Sequence, residues 1–282
     1  MLINLYPWKM PRLNILSFAE QEGFDNPREL SGEERKIHFR INSSVSSFLK
    51  SIRKPENKLV FALTLYHFKI SKKFFAFAAF NIKDIKYVSH LLQLDNLKGK
   101  KSNLGSKVFH KYKEQIAEYL GYQTFDQKAK VLLYSKTYKL AMQYVKPKVI
   151  FNDCIELLLE QKIEIPKYNT IRAIIIEALQ EYKNSLLNIL EKKLTVEIKE
   201  WLDELLLFDI DKSVYKLTLL KGFYQSVKPK EIRFNTSDFI TLQEKHDKLQ
   251  SIIKELPINA RGIEYFATTV IKSDVFRIKR RM

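Results

Sequence analysis

A single cysteine, Cys154, is all that 282 residues hold, which excludes an intrachain disulfide and fits a reducing compartment. No stretch reaches 18 uncharged apolar residues, so no membrane span is expected. The start of the chain places Lys9 after an apolar opening and lacks a small-residue cleavage site. That argues against a secretory signal and leaves a cytoplasmic location as the expectation. The five histidines, His38, His67, His90, His110 and His246, are scattered, and none has a second His or Cys at ligand spacing, which excludes a zinc finger. No glycine-rich phosphate loop occurs: Gly99–Lys100 lacks the preceding glycine, and the following serine falls one place late. A Gly-x-Ser-x-Gly elbow and a kinase signature are also missing. There is no internal repeat and no low-complexity tract.

Nucleases that work with two metals need converging carboxylates. The tightest acidic groups are Asp203–Glu204, Asp209 with Asp211, and the i, i+4 pair Glu156 and Glu160. Each reads as a solvated helix end or face, so no catalytic residue, metal ligand or cofactor is assigned. Cys154 reads as a small buried hydrophobe on a helix.

What the chain has in excess is positive charge, +17 overall, and its placement is uneven. Residues 1–40 balance at zero, whereas residues 41–148 carry 21 Lys/Arg against 6 Asp/Glu, an excess of 15. Residues 149–228 sum to −2 and residues 229–282 to +4. A field of that kind fits an acidic polymer, because neutralising phosphates releases counterions. It also fits a lysine-rich solubilising surface, or an acidic protein or membrane surface.

Apolar residues recur at helical spacing almost throughout, and the fold class expected is all-α. A helical pattern over 13–22 is broken by Gly23 and Pro27. Ser31 and Glu34 form a capping box for a short helix. Ser43 or Ser44 opens a helix carrying Val45, Phe48, Leu49 and Ile52. Pro55 suits the first turn of a strongly apolar helix over 56–68, and Phe74, Phe75, Phe77 and Phe80 close the same core. Ile82, Ile85, Tyr87, Val88 and Leu91 continue as another helix, ending near Leu94. Residues 95–105 read as a polar, basic, mobile loop. Helices are expected over 106–120, with Gly121 as the stop, and over 125–144, with a break at Pro147. Others span 149–161, 170–190 (capped by Asn169 or Thr170), 195–207, 217–227, 237–256 and 259–277.

The basic segment supplies candidate phosphate contacts. Arg53, Lys54 and Lys58 bracket Pro55 at a helix junction, and Lys69, Lys72 and Lys73 follow the next helix. Lys98, Lys100 and Lys101 lie in the polar loop. Lys107, His110 and Lys111 share one helix face at i, i+3, i+4, with Lys113 on the same helix. Lysine anchors phosphate well but reads bases less well than arginine.

The stretch Leu59-Val60-Phe61-Ala62-Leu63-Thr64-Leu65-Tyr66-His67-Phe68-Lys69 resembles the "LGFALQLCYLR" segment of Tn3-family transposases, and Asn57-Lys58 stands where that family has Asn-Arg. Leu16 to Glu20 and Glu33 to Arg40 fit the family's opening. His110 to Ile116 leading into Tyr119 to Phe125 is similar to its "H…EI..YLGYR.F" block. Ile163 to Pro166 with Tyr168 and Ile171 resembles "IELP.Y..L", and Leu202 to Leu206 resembles "LD.LL". Val60 and Tyr66 depart from the family's glycine and cysteine; Lys69 and Lys107 replace arginines. The resemblance implies helical DNA-binding domains that recognise terminal inverted repeats in double-stranded DNA, with strand-cutting carried by a catalytic portion this chain does not contain. The expected organisation is a first helical domain with its lead-in (1–94), a second DNA-binding region of basic loop and helices (95–148), and a helical scaffold or extension (149–282). Self-association is left open, and a helical interaction fragment without specific DNA binding is the alternative reading.

Overall fold

The computed structural model describes residues 13–94, 105–143, 146–222 and 229–275. These form an all-helical, multi-domain fold with a single small hairpin among the described residues. The chain divides into two compact units: Met1–Thr137 with Lys146–Glu177, and Tyr138–Val145 with Ala178–Met282.

The first unit begins with α1 (Phe18–Asp25), α2 (Gly32–His38), α3 (Ser43–Ser51) and α4 (Pro55–Ser71). A 3-10 turn (Phe77–Ala79) leads to α5 (Ile82–Leu91), then α6 (Ser106–Tyr119), α7 (Gln127–Met142) and α8 (Pro147–Glu160). The helix α9 (Tyr168–Lys193) starts in this unit. Side chains set most of the boundaries. Ser17 with Glu20, and Ser31 with Glu34, close complete capping boxes, and Asn42 and Asn81 cap α3 and α5.

Three starts differ from the sequence reading, each for a physical reason. The capping box at Ser17 delays α1, which then runs through Gly23, since an interior glycine costs only about 1 kcal/mol. Pro147 begins α8 instead of separating helices, because its fixed φ suits the first turn. Tyr168 opens α9 before Asn169, since its N–H donates to Asp25 Oδ1 at 2.9 Å, a cap supplied from α1.

The core of this unit is α4. All ten residues from Leu59 to Phe68 are buried. Val45 and Leu49 of α3, Ile85 and Val88 of α5, Tyr112 and Ile116 of α6, and Phe39, Phe75 and Phe80 complete the cluster around it. Aromatic pairs tie the layers together: Phe61 meets Tyr112 edge-on at 5.4 Å, and Phe68 stacks on Phe74 at 4.3 Å. The segment 162–165 is stitched to the end of this core. Gln123 N–H donates to the Lys162 carbonyl, Glu164 N–H to that of Gln123, and Ile165 N–H to that of Lys72.

One polar cluster is sealed inside. Asp84, fully buried on α5, receives Arg35 Nε of α2 at 2.6 Å and has His67 Nε2 of α4 at 3.2 Å. The His67 contact is close but poorly aligned, and neither of its two atoms makes a well-directed hydrogen bond. Burial, the largest influence on the Asp84 carboxyl, raises its pKa. His67 and Arg35 more than reverse that, holding it below the usual carboxylate range.

In the second unit, Tyr182 and Leu186 of α9 pack with Ala141, Tyr138 and Leu256, and Tyr182 donates its hydroxyl to the Pro257 carbonyl at 3.0 Å. Thr195 caps α10 (Val196–Leu205). A hairpin follows, β1 (Phe208–Asp209) paired antiparallel with β2 (Val214–Tyr215), then α11 (Lys216–Gly222), α12 (Pro229–Glu255) and α13 (Ala260–Lys272). The hairpin has no counterpart in the sequence reading. Its strands are two residues long, too short for an alternating pattern, and its turn rests on Asp209 Oδ1 accepting Lys212 N–H at 3.0 Å.

Replacing Asp84 with Ala strands the buried Arg35 guanidinium and should cost roughly 3–5 kcal/mol in urea unfolding, whereas a triple apolar replacement of Arg35, His67 and Asp84 should recover most of it. Because the folded carboxyl titrates below its unfolded value, its contribution is complete above about pH 4 and disappears as pH falls further. Acid titration of wild type against Asp84→Asn should show that portion of the pH dependence missing in the variant.

Candidate nucleic-acid interface

Two helices of the first unit lie side by side. Tyr112 of α6 packs on Phe61, and its hydroxyl neighbours the side chain of Asn57, in the first turn of α4, which opposes the rise that burial gives its pKa. Ten residues on, Tyr122 meets Phe68 at 5.4 Å. The two helices therefore run in the same direction, and both begin at the same end of the unit.

That end is cationic. Arg53, Lys54 and Lys58 surround the start of α4, with Arg53 and Lys54 exposed and Lys58 half-buried. Lys107 and Lys111 are exposed on the first turns of α6. None of these five makes an ion pair among the described residues. Neither helix has a side-chain cap from its own N-cap residue: Lys54 and Gly105 hold those positions, so among the described residues the first-turn N–H groups have no N-cap side-chain acceptor. Cations at a helix N-terminus oppose the helix dipole, by 0.3–1 kcal/mol each as a rough scale. An incoming anion relieves both the repulsion and the open N–H groups. Glu56 is the one carboxylate in the first turn of α4, and α6 has none there.

The remaining sequence candidates are distributed differently. His110 faces Glu114 at 3.3 Å, and with Glu118 exposed one turn later the outer face of α6 passes from basic to acidic along its length. Lys69 and Lys72 sit at the far end of α4, about 22 and about 27 Å from Lys54 at 1.5 Å per residue. There they lie over the rings of Tyr119 and Tyr122, at 5.8 and 5.4 Å. Burial, then the charge of Lys69, lowers the pKa of Lys72, whose backbone adopts the left-handed conformation, φ 58°. Lys113 is half-buried, 3.3 Å from Glu164 and 4.9 Å from the centre of the Phe74 ring. Lys98, Lys100 and Lys101, with the loop expected to carry them, fall outside the described residues.

Lys73 is inside the protein. Its ammonium donates to the Phe24 carbonyl, sits 3.1 Å from the Phe24 ring centre and lies 3.6 Å from Asp25 Oδ1. Burial pushes its pKa down to about 8 against the opposing pull of Asp25. The sequence reading placed Lys73 with Lys69 and Lys72, which are half-buried, since nothing local distinguishes it from Lys72. It also missed Asn57 and Tyr112 as the pair that aligns the two helix starts. They are 55 residues apart, and no periodicity couples them.

Cys154 is fully buried on α8, 3.4 Å from Thr137 Oγ1, as its sequence context predicts. Among the described residues no group of three or more His, Cys, Asp or Glu side chains is placed to hold a metal ion, and no helix is long and apolar enough to cross a membrane.

These features define a class: an all-helical domain whose charged end is built from two parallel helix starts. Residues 15–178, more than half of the chain, match the family described as a domain of unknown function (DUF4158), and the chain belongs to it. That domain is found at the N-terminus of Tn3-family transposases. No curated protein matches the chain.

The Lys73 side chain reaches no surface, so Lys73→Met should not alter any surface contact. Folding stability should change instead. Between about pH 8 and the ordinary lysine range the folded state holds fewer protons than the unfolded one, so wild type should gain stability relative to the variant as pH rises through that window. Paired chemical denaturation curves across pH 7–10.5 provide the check.

Proposed function

We propose that this chain binds double-stranded DNA as the non-catalytic, substrate-holding N-terminal part of a Tn3-like transposase, with transposon terminal inverted repeats as its natural duplex. The observation that carries the reading is the cationic end where α4 and α6 begin. Five Lys/Arg side chains that make no ion pair among the described residues, and two helix starts without an N-cap side-chain bond, come together where Asn57 and Tyr112 meet. The electrostatic cost of that arrangement to the folded protein makes a solubilising role a poor account of it, since solubility needs charge but not charge on the wrong ends of helices.

The chemistry favours the DNA backbone over base edges at this end. Four of the five side chains are lysines, which bind phosphate as point charges, and main-chain N–H groups add hydrogen bonds that carry no sequence information. Affinity at this end should depend steeply on salt, and discrimination between sequences must come from other contacts.

Competition binding with an inverted-repeat duplex and a scrambled duplex across a salt series tests the reading. Absent or salt-insensitive binding by folded protein overturns it, and equal binding of both duplexes removes the terminal-repeat specificity alone. Replacing Lys107 and Lys111 together with Ala should weaken both duplexes and flatten the log–log salt slope by about 2, at roughly 0.9 for each phosphate no longer neutralised.

A further inference from the structure

We infer that the solvent face of α7 in the first unit is a second duplex contact, a helix face shaped for the DNA major groove and its thymine methyl groups. This inference rests on the DNA-binding reading above and adds a site outside the α4–α6 end. The helix α7 contains no acidic residue over its 16 positions. Its inward side is fixed by Ala129, Leu133 and Thr137, all buried. The opposite side carries Lys128, Val131, Leu132, Ser135 and Lys136, all exposed, with Val131 at 56% and Leu132 at 38%.

The order along the helix is what selects a groove. Lys128 and Lys136 are eight residues apart on neighbouring lines of one face, about 12 Å at 1.5 Å per residue. A helix lying in the B-DNA major groove carries these two ammonium groups, one near each end of the face, close to the phosphates that line the groove. Val131, Leu132 and Ser135 lie between them, where base edges would be. Aliphatic side chains there meet the C5-methyl of thymine, and a serine hydroxyl bonds to either a donor or an acceptor. Two carboxylates beside the helix are otherwise engaged: Asp126 Oδ1 caps it by accepting Ala129 N–H at 2.9 Å, and Glu177 pairs with Lys130 on the flank at 3.9 Å.

Other acidic surfaces fit less well. An A-form RNA major groove is too deep and narrow for a helix to enter. Interfacial insertion into a membrane takes a broad apolar face with large side chains, and two aliphatic residues do not make one.

The experiment uses the full chain and a thymine-rich duplex, alongside the same duplex with uracil in place of thymine, read by fluorescence anisotropy. Wild type should bind the uracil duplex more weakly, by about fourfold for each methyl group removed from the interface. The Val131→Ala/Leu132→Ala variant should bind the thymine duplex more weakly and no longer distinguish the two. The Lys128→Ala/Lys136→Ala variant should lose roughly 10- to 100-fold in affinity at 0.1 M salt, with a salt slope lower by about 2. These side chains are exposed, and unchanged circular dichroism and melting would show the variants folded. Equal binding of thymine and uracil duplexes by wild type overturns the inference, as does undiminished affinity in the lysine variant. So does lysine-dependent binding to phosphatidylserine vesicles with duplex binding unchanged. If wild type binds no duplex, the DNA-binding reading falls with it. If Lys107 and Lys111 matter while α7 does not, only the α7 site falls.

Discussion

A helix that has no face for water must be enclosed on every side, and α4 imposes that requirement on the first unit. Ten consecutive buried residues leave no amphipathic stripe, so neighbours from α3, α5, α6 and the aromatic segment at 74–80 have to arrive from all directions. Polarity in α4 is consequently distributed along its axis instead of around it. Its two ends are the parts that meet solvent, and both are basic: Arg53, Lys54 and Lys58 at one, Lys69 and Lys72 at the other. Burial of the middle thus decides where charge can appear, and the cationic end with α6 is one outcome of that constraint.

Much of this was legible in the chain before any coordinates. The unbroken apolar run at 59–68 announces a central helix, Pro55 marks its first turn, and the Ser31–Glu34 spacing fixes a helix start. Local rules sufficed there because each signal involves residues within a few positions of one another. The concentration of lysine in residues 41–148 was equally plain. Which lysines belong together was not, because that depends on contacts such as Asn57 with Tyr112 and Phe24 with Lys73, across about 50 residues. Lys72 and Lys73 are the clearest case. Adjacent and chemically identical, they part company because the left-handed turn at Lys72 sends the next side chain inward, towards α1.

The buried trio of Arg35, His67 and Asp84 was likewise invisible, since each member sits in an ordinary helical context. Charged groups inside a core are a poor source of net stability, but they penalise wrong partners heavily. Here they specify that α2, α4 and α5 meet in one register, something an aromatic-rich core that tolerates repacking would enforce weakly. Tertiary capping acts in the same sense on α9, whose first residue is set by Asp25 and not by its own sequence.

The hydroxyl of Tyr168 accepts the N–H groups of Ile15, at 3.1 Å, and Leu16, at 3.4 Å, from 153 and 152 positions earlier in the chain. On a ribosome this sets an order of events. At 5–20 residues per second, the interval between the emergence of Leu16 and the synthesis of Tyr168 is on the order of ten seconds. Throughout it, the early helices wait without the residue that fastens the start of the chain to α9. The aromatic surface of Phe24, which will pack on Phe151 at 5.1 Å, is uncovered for most of the same period. The contacts that close the first unit can therefore form only after its last helix has been made, however early its other helices are in place.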